Sequence, residues 1–563
     1  MMHAVVSITA TAPRTPWDEN GILQMGRIIL GERVATMSLS GYFPGTSFLL
    51  APIWLITQDP ATVYRASNIV LNIVALSAII PLALIARRIG LTTAKAVTIA
   101  ALTMMLPSRV GLADYVLSEQ LLSTLIIWAT LAAFAVWKNP TVLNGVLFSL
   151  AAVGAYFAHA RALVFVAVAG IWLVLFIRRR WQVSAVSLVV LVVGALAVQT
   201  VSRAINAQLV PGGFRQDAGF ISKLTSAPPG DLLRIAFNQT WVQLVGTSGL
   251  IAIGAVVVIV WVVRDLRSWQ VGPAGFVAGG AVGAFIISVI AWGGSKFLHT
   301  EPLRFDVWVY SRYLDPFIVV VVLLALAAIV RGVSLAVIGV AAAASVAVIL
   351  PVLFWVAPSV PTWGLTDGPA NSAAILQWQW SWPTEPFAWP LIPSLTNPNR
   401  FWLLASIWVI LALGIVALLR RRPQAFAVVW LAASLVMANG ANPDQFRDYP
   451  DDLTAALESV EQDGEKLPVD FYFSRCDSTL AIHQARNWVG FWFAPRQVDV
   501  VRGEEPFAAD LVVACGDFAG DRAEGALPVQ GEPDYNSFRI WVLPGDLQDD
   551  LLERGMLDET PAG

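Results

Sequence analysis

Charge is what this chain has least of: only 13% of its 563 residues are Asp, Glu, Lys or Arg, about half the share usual in soluble domains. That scarcity excludes an ordinary soluble globule. With a formal net charge of −3 and Lys and Arg confined to small clusters, there is no broad basic surface either, which excludes nucleic acid as a partner. The chain holds just two cysteines, too few for a disulfide-rich scaffold, and without His partners nearby they make no zinc site. No dense Asp/Glu/His cluster stands anywhere in the sequence, so a divalent metal is not indicated and no obligatory cofactor is expected. Apolar sequence fills the space instead. Hydrophobic residues make up 57% of the chain and the mean hydropathy is +0.66, with long Val/Ala/Leu/Ile runs. This is the composition of an all-α polytopic membrane protein.

A helix needs about 20 mostly apolar residues to cross a bilayer. About twelve windows of that kind are predicted, over 66–87, 92–109, 118–137, 141–159, 161–178, 183–205, 241–264, 272–292, 314–331, 333–357, 401–420 and 424–439. The basic connectors Arg87/Arg88, Lys138, Arg178 to Arg180, Arg264/Arg267, Arg331 and Arg420 to Arg422 fall at alternate turns of this count. The positive-inside rule makes those turns cytoplasmic and puts 1–65, 109–118, 206–240, 293–313, 358–400 and everything after 440 outside. The opening "MMHAVVSITATAP" is too short to cross, yet the parity demands that Asp18 and Glu19 be outside. Either the start truncates a first span or a short tail crosses unaided.

After residue 440 the composition turns to Asp, Glu, Pro and Gly. The short runs "VDFYFSR", "QVDVV", "DLVVAC" and "FRIWVLP" read as strands, and "DLTAALESVEQ" and "TLAIHQARNW" as helices. The expected organisation is therefore a transmembrane module over 1–439 and a small extracytoplasmic α/β domain over 440–563. Cys476 and Cys515 both sit there at predicted strand ends. In an oxidising compartment they favour a disulfide, which would stabilise the domain by about 4 kcal/mol; a pair of reduced buried thiols is the alternative.

The polar residues of the expected outer face are few and gathered. Asp18 and Glu19 in "TPWDENGIL" run into apolar sequence on both sides, which a merely solvated loop would not. The broken apolar stretch "GYFPGTSFLLAPIWL" follows. "PSRVGLADYVLSEQLL" then supplies Arg109, Asp114 and Glu119, "YFAHARALVF" supplies His159 and Arg161, and "GGSKFLHTEPLRFDVWVYSRYLDPF" supplies Lys296, His299, Arg304, Arg312 and Tyr313. Interfacial anchoring is the plain alternative for each Arg and Tyr taken singly. The same choice, interfacial belt or sugar-stacking surface, applies to Trp355, Trp363, Trp378, Trp380, Trp382 and Trp389 in the segment 355–389.

An early acidic pair, then "YFPGTSFLLAP", "ADYVLSEQ" entering a span and "SRYLDP" before another: from residue 14 to about 331 this order resembles the C-type membrane glycosyltransferases (GT-C). That superfamily includes protein O-mannosyltransferases, aminoarabinose transferases and actinobacterial arabinosyl- and mannosyltransferases. The resemblance implies a GT-C-like module that moves a glycosyl unit from a polyprenyl-phosphate-linked sugar, without nucleotide, to a cell-envelope glycan, lipid or protein at the outer face of a bacterial plasma (inner) membrane. It implies that Asp18, or the Asp18/Glu19 pair, is the general base, and that Glu119 orients acceptor or donor with Asp114 as competitor. Arg312 and Tyr313 would meet the lipid phosphate, assisted by Arg161 and Lys296. The residue chemistry agrees: a departing phosphate needs cations, Arg binds its oxygens bidentately, and an inverting transfer with an ionised leaving group needs only one base. A secondary transporter or lipid-linked sugar flippase is the alternative, but carriers place their polar groups near mid-membrane and show related halves. An assembly platform built on the outer domain is a third reading, weakened by the acids and arginines spread over separate membrane-side loops.

Overall fold

The long apolar runs fold as helices. A computed structural model describes residues 2–8, 10–37, 43–210, 220–300, 303–360, 369–378, 398–440, 450–461, 465–473, 479–515, 518–531 and 538–558. Among these, six helices are long and apolar enough to cross a membrane: Pro60–Arg88, Glu119–Lys138, Trp181–Leu209, Pro273–Gly293, Leu335–Ser359 and Phe401–Leu419. Four more of the expected stretches are shorter apolar helices, Val142–Ala158, Ala160–Phe176, Asp315–Val330 and Pro423–Val436. The last two are bent pairs, and the backbone explains both bends. Thr93–Thr103 and Pro107–Asp114 meet at 64° because Leu106, preceding a proline, is driven to ψ 140. Pro229–Gly246 and Leu250–Arg267 meet at 108°, where Ser248 (φ 50) and Gly249 (φ 78) take the left-handed conformation that ends a helix.

Contacts divide the chain into two units. The first comprises Met1–Thr9, Asn68–Thr200 and Gln216–Gln445. Its centre is the helix Asp315–Val330, buried on every side from Asp315 to Ala327, as an all-round apolar helix should be. The helix Leu250–Arg267 packs on it through Gly254, where an added Cβ would run into the carbonyl oxygen of Val321. Small residues permit such close backbone approach between membrane helices. At the periphery Leu350, Phe354 and Leu418 are exposed, a pattern suited to hydrocarbon rather than water as the neighbour. The chain is a multi-pass membrane protein.

The second unit comprises Ala10–Ser67, Val201–Arg215 and Phe446–Gly563. It carries a five-stranded sheet of order β2-β1-β3-β5-β4, with β1 Val469–Phe473, β2 Val498–Arg502, β3 Leu511–Cys515, β4 Leu527–Pro528 and β5 Phe538–Val542. The β1/β2 and β1/β3 pairs are parallel; β5 runs antiparallel to β3 and β4. The helix Thr479–Trp492 makes the crossover that the parallel β1/β2 pair requires. It also packs on the helix Pro16–Ile29: Asn20 Nδ2 donates to the Asn487 carbonyl at 2.9 Å, and Gln24 Nε2 donates to the carbonyl of Gly490. The helix Pro16–Ile29 and the C-terminal sheet thus lie in one compact unit. Within it Arg496 grips both oxygens of Glu461 and Lys466 adds a bond of 2.9 Å.

Gly254→Val should disrupt the first unit, while Gly339→Val, whose added Cβ meets nothing, should leave it intact; thermal unfolding of the full chain in lipid discs compares them. Burial works against the charged form of Glu461, but the bonds from Arg496 and Lys466 outweigh it and hold the carboxyl below its ordinary range. The pair's contribution is therefore full above the unfolded value of about 4.3 and is lost as pH falls through the folded value. Hydrogen-exchange protection across β1, corrected for the intrinsic rate at each pH, should fall in that acid window, and Glu461→Gln should flatten the dependence.

Candidate functional site

In the first unit Glu119 opens the helix Glu119–Lys138, where the dipole favours an acid. It is fully buried. Arg312 Nε donates to Glu119 Oε1 at 2.5 Å, and Arg161 Nη2 donates to the same oxygen. Both guanidinium groups are nearly inaccessible, with side-chain exposures of 5% for Arg161 and 4% for Arg312. Two cations thus share one carboxylate oxygen. Glu119 Oε2 and Arg161 Nε are buried with no hydrogen-bond partner among the described residues. Burying two guanidinium groups is costly, and an anion with several acceptor oxygens is chemistry that such a pair can bind.

Local structure fixes each arm. Arg161 lies in the 3-10 turn Ala160–Ala162, where its backbone N–H donates to His159 Nδ1 at 3.3 Å. Its guanidinium carbon sits 5.0 Å from the Tyr313 ring centroid, a cation–π placement. Tyr313 is edge-on to Tyr310 at 5.0 Å, and Tyr310 lies 4.3 Å from Trp292. Arg312 Nη1 reaches Asn371 Oδ1 at 3.4 Å, Asn371 Nδ2 donates to Asp306 Oδ2 at 2.9 Å, and Arg304 pairs with both oxygens of Asp306. Next along the chain Ser311 Oγ and Gln243 Nε2 donate to the buried Asp315 at 2.9 and 3.0 Å.

Glu119, His159, Arg161, Arg312 and Tyr313 thus come together, with Arg304 joined through Asp306 and Asn371. Arg109 is buried and donates to Gln120, the neighbour of Glu119. Asp114 is buried at the end of the turn Leu112–Asp114. His299 instead pairs with Asp231 at 2.9 Å, and Lys296 is exposed over its neighbour Phe297.

In the second unit the two neighbouring acids have different surroundings. Glu19 is fully buried: Oε2 accepts the N–H groups of Arg14 and Thr15 at 2.7 and 2.8 Å, and Oε1 accepts the Tyr64 hydroxyl at 2.7 Å. It closes the start of the helix Pro16–Ile29, reaching back to donors that the helix itself cannot satisfy. Asp18 is half-exposed in the same turn. Cys515 ends β3 and is disulfide-bonded; Cys476 lies outside the described residues. Trp355 is exposed, whereas Trp363, Trp380, Trp382 and Trp389 fall outside the described residues, and so does the side chain of Trp378.

Sequence reasoning did not single out Tyr64, Asn371, Asp306 or Tyr310. Asp306 and Tyr310 stood in plain view inside the quoted "RFDVWVYSRY". Tyr64 and Asn371 lie far along the chain from their partners and carry no local signal.

No family model and no curated protein matches the chain. Solved structures do. ArnT from Cupriavidus metallidurans bound to undecaprenyl phosphate is similar over 97% of this chain and 97% of its own, with 13% identity and a TM-score of 0.51. The arabinosyltransferase EmbB from Mycobacterium smegmatis is similar over 79% of this chain and 41% of its own, with 15% identity and a TM-score of 0.40. The oligosaccharyltransferase of Archaeoglobus fulgidus tethered with an acceptor peptide is similar over 90% and 64%, with 11% identity and a TM-score of 0.41. Identities this low speak of fold alone. The fold is shared with ArnT over nearly the whole of both chains.

Glu119→Gln removes the carboxylate on which the buried Arg161 and Arg312 meet and should destabilise the first unit by about 3–5 kcal/mol. Thermal unfolding in lipid discs measures the loss.

Proposed function

We propose that this protein transfers a glycosyl unit from a polyprenyl-phosphate-linked sugar to a hydroxyl of a cell-envelope glycan, lipid or protein, at the extracytoplasmic face of a bacterial inner membrane. The observation that carries the reading is the buried pair Arg161 and Arg312 on a single oxygen of Glu119, a preformed receptor for one phosphate group. The fold shared with ArnT, whose structure holds undecaprenyl phosphate, supports it.

In this reading Arg312 and Arg161 bind the phosphate oxygens of the donor, Tyr313 braces Arg161, and Glu119 sets the spacing of the two guanidinium groups. Asp114 competes with Glu119 for the orienting role, and His159, Arg304, Lys296 and His299 line the approach. Asp18 is the general base. It takes the proton of the acceptor hydroxyl as that oxygen bonds to the anomeric carbon from the face opposite the phosphate. The bond from the anomeric carbon to the phosphate oxygen breaks, both electrons leave with the polyprenyl phosphate, and the anomeric configuration inverts. Glu19, its oxygens already engaged, is a positioning residue that holds the turn bearing Asp18. About twelve spans, an outer C-terminal domain over 440–563 and a Cys476–Cys515 disulfide complete the proposal.

Asp18→Asn should lower transfer about 100- to 10,000-fold with donor affinity unchanged. Arg312→Ala should weaken donor binding more than acceptor binding. Release of polyprenyl phosphate from a panel of lipid-linked sugars, with direct donor titration, checks both; parent-rate transfer by Asp18→Asn would remove the base assignment.

A further inference from the structure

The helix Pro16–Ile29 ends in a feature that the transfer chemistry does not use. Arg27, in its last turn, is buried, and beside it lies an open cleft of about 400 Å³ lined by Arg27, Glu32, Arg33, Gln58, Pro495 and Gln497. Every one of these residues belongs to the second unit. The volume lies within the ordinary range for a small-molecule site, but the lining is unusual. Proline apart, each residue offers a hydrogen-bonding side chain.

The floor is rigid. Arg27 Nε donates to Glu32 Oε2 at 2.7 Å, Nη2 reaches the Pro495 carbonyl at 3.5 Å, and the guanidinium carbon lies 5.5 Å from the centroid of the Trp54 ring. The rim is open: Arg33, Gln58 and Gln497 are all exposed. One donor of each rim amide is spoken for, since Gln58 Nε2 donates to the Trp54 carbonyl at 2.7 Å and Gln497 Nε2 to Asp499 Oδ2 at 2.5 Å. Those bonds orient the two amides and leave their carbonyl oxygens as acceptors. The lining carries two positive charges and one negative, and Asp499 lies 3.7 Å from Arg33 to offset the excess.

A nearly neutral wall of planar, bidentate hydrogen-bonding groups suits neither an acyl chain nor a polyanion. It matches the paired donor–acceptor hydroxyls of a sugar ring. We propose that this cleft binds a neutral saccharide, and that it holds the non-reacting end of a glycan acceptor. The acceptor role rests on the transfer reading; the binding itself does not. Nine residues separate Asp18 from Arg27, about 13 Å along the helix and half a turn around it. One sugar ring cannot touch both, so the acceptor is an extended glycan of several sugars.

The test uses the full chain in sugar-free lipid discs. Saturation-transfer NMR with maltotriose, mannotriose and chitotriose should show at least one trisaccharide bound, and Arg33→Ala and Gln497→Ala, both exposed positions, should weaken it at least tenfold. Asp18→Asn should leave that binding unchanged. With an oligosaccharide acceptor the same two variants should raise KM and spare kcat, and with a monosaccharide acceptor they should change neither. Absence of trisaccharide binding, binding indifferent to both variants, or displacement by inorganic phosphate would overturn the cleft assignment. Saccharide binding in a protein that transfers no lipid-linked sugar would overturn the transfer reading and leave the cleft standing.

Discussion

A carboxylate that carries two arginines inside an apolar helical body constrains everything around it. Glu119, Arg161 and Arg312 come from segments 42 and 193 residues apart in sequence, and they meet on one oxygen. Charges removed from water at such burial persist only where the geometry of the pairing is close to ideal. The supporting shell does that placing. The turn at His159 sets Arg161, the Tyr313 ring caps it, and the chain of Asn371, Asp306 and Arg304 steadies Arg312 from the other side. The helix Asp315–Val330, which follows directly, is the most completely buried in its unit, so Arg312 is anchored to the least movable part of the core.

The second unit solves a different problem. The helix Pro16–Ile29 buries Ile22, Leu23, Met25 and Ile28 and packs on the nearby helix Gly45–Trp54, and it takes a second partner from the far end of the sequence: Asn20 and Gln24 bond to the backbone of the helix Thr479–Trp492. Glu19 and Tyr64 then fix the first turn. The consequence is chemical as well as structural. Of two adjacent carboxylates, one is fully engaged by its surroundings and the other keeps partial access to solvent.

Much of this was legible in the sequence. Twelve apolar windows anticipated where helices lie because length and hydropathy are local properties, and β1, β2, β3 and β5 followed from β-branched and aromatic runs between turn residues. The bends at Leu106 and Gly249 were harder: each depends on one residue's backbone conformation inside an otherwise unbroken apolar pattern. Two-residue β4, half of it proline, has no pattern to read. The "SRY" and "SEQ" stretches marked Arg312, Tyr313 and Glu119, but nothing in sequence spacing could announce that one Glu119 oxygen takes both guanidinium groups. The contrast between Asp18 and Glu19 was hidden for the same reason, since it is decided by Tyr64, 45 residues on.

The central claim is that the arginine pair on Glu119 recognises a lipid-borne phosphate, and the most direct measurement is differential binding of undecaprenyl phosphate and undecaprenol. In lipid discs the unaltered protein should prefer the phosphate strongly, and the Arg161→Ala/Arg312→Ala double variant should bind both lipids alike. A preference of equal size in the double variant would contradict the claim.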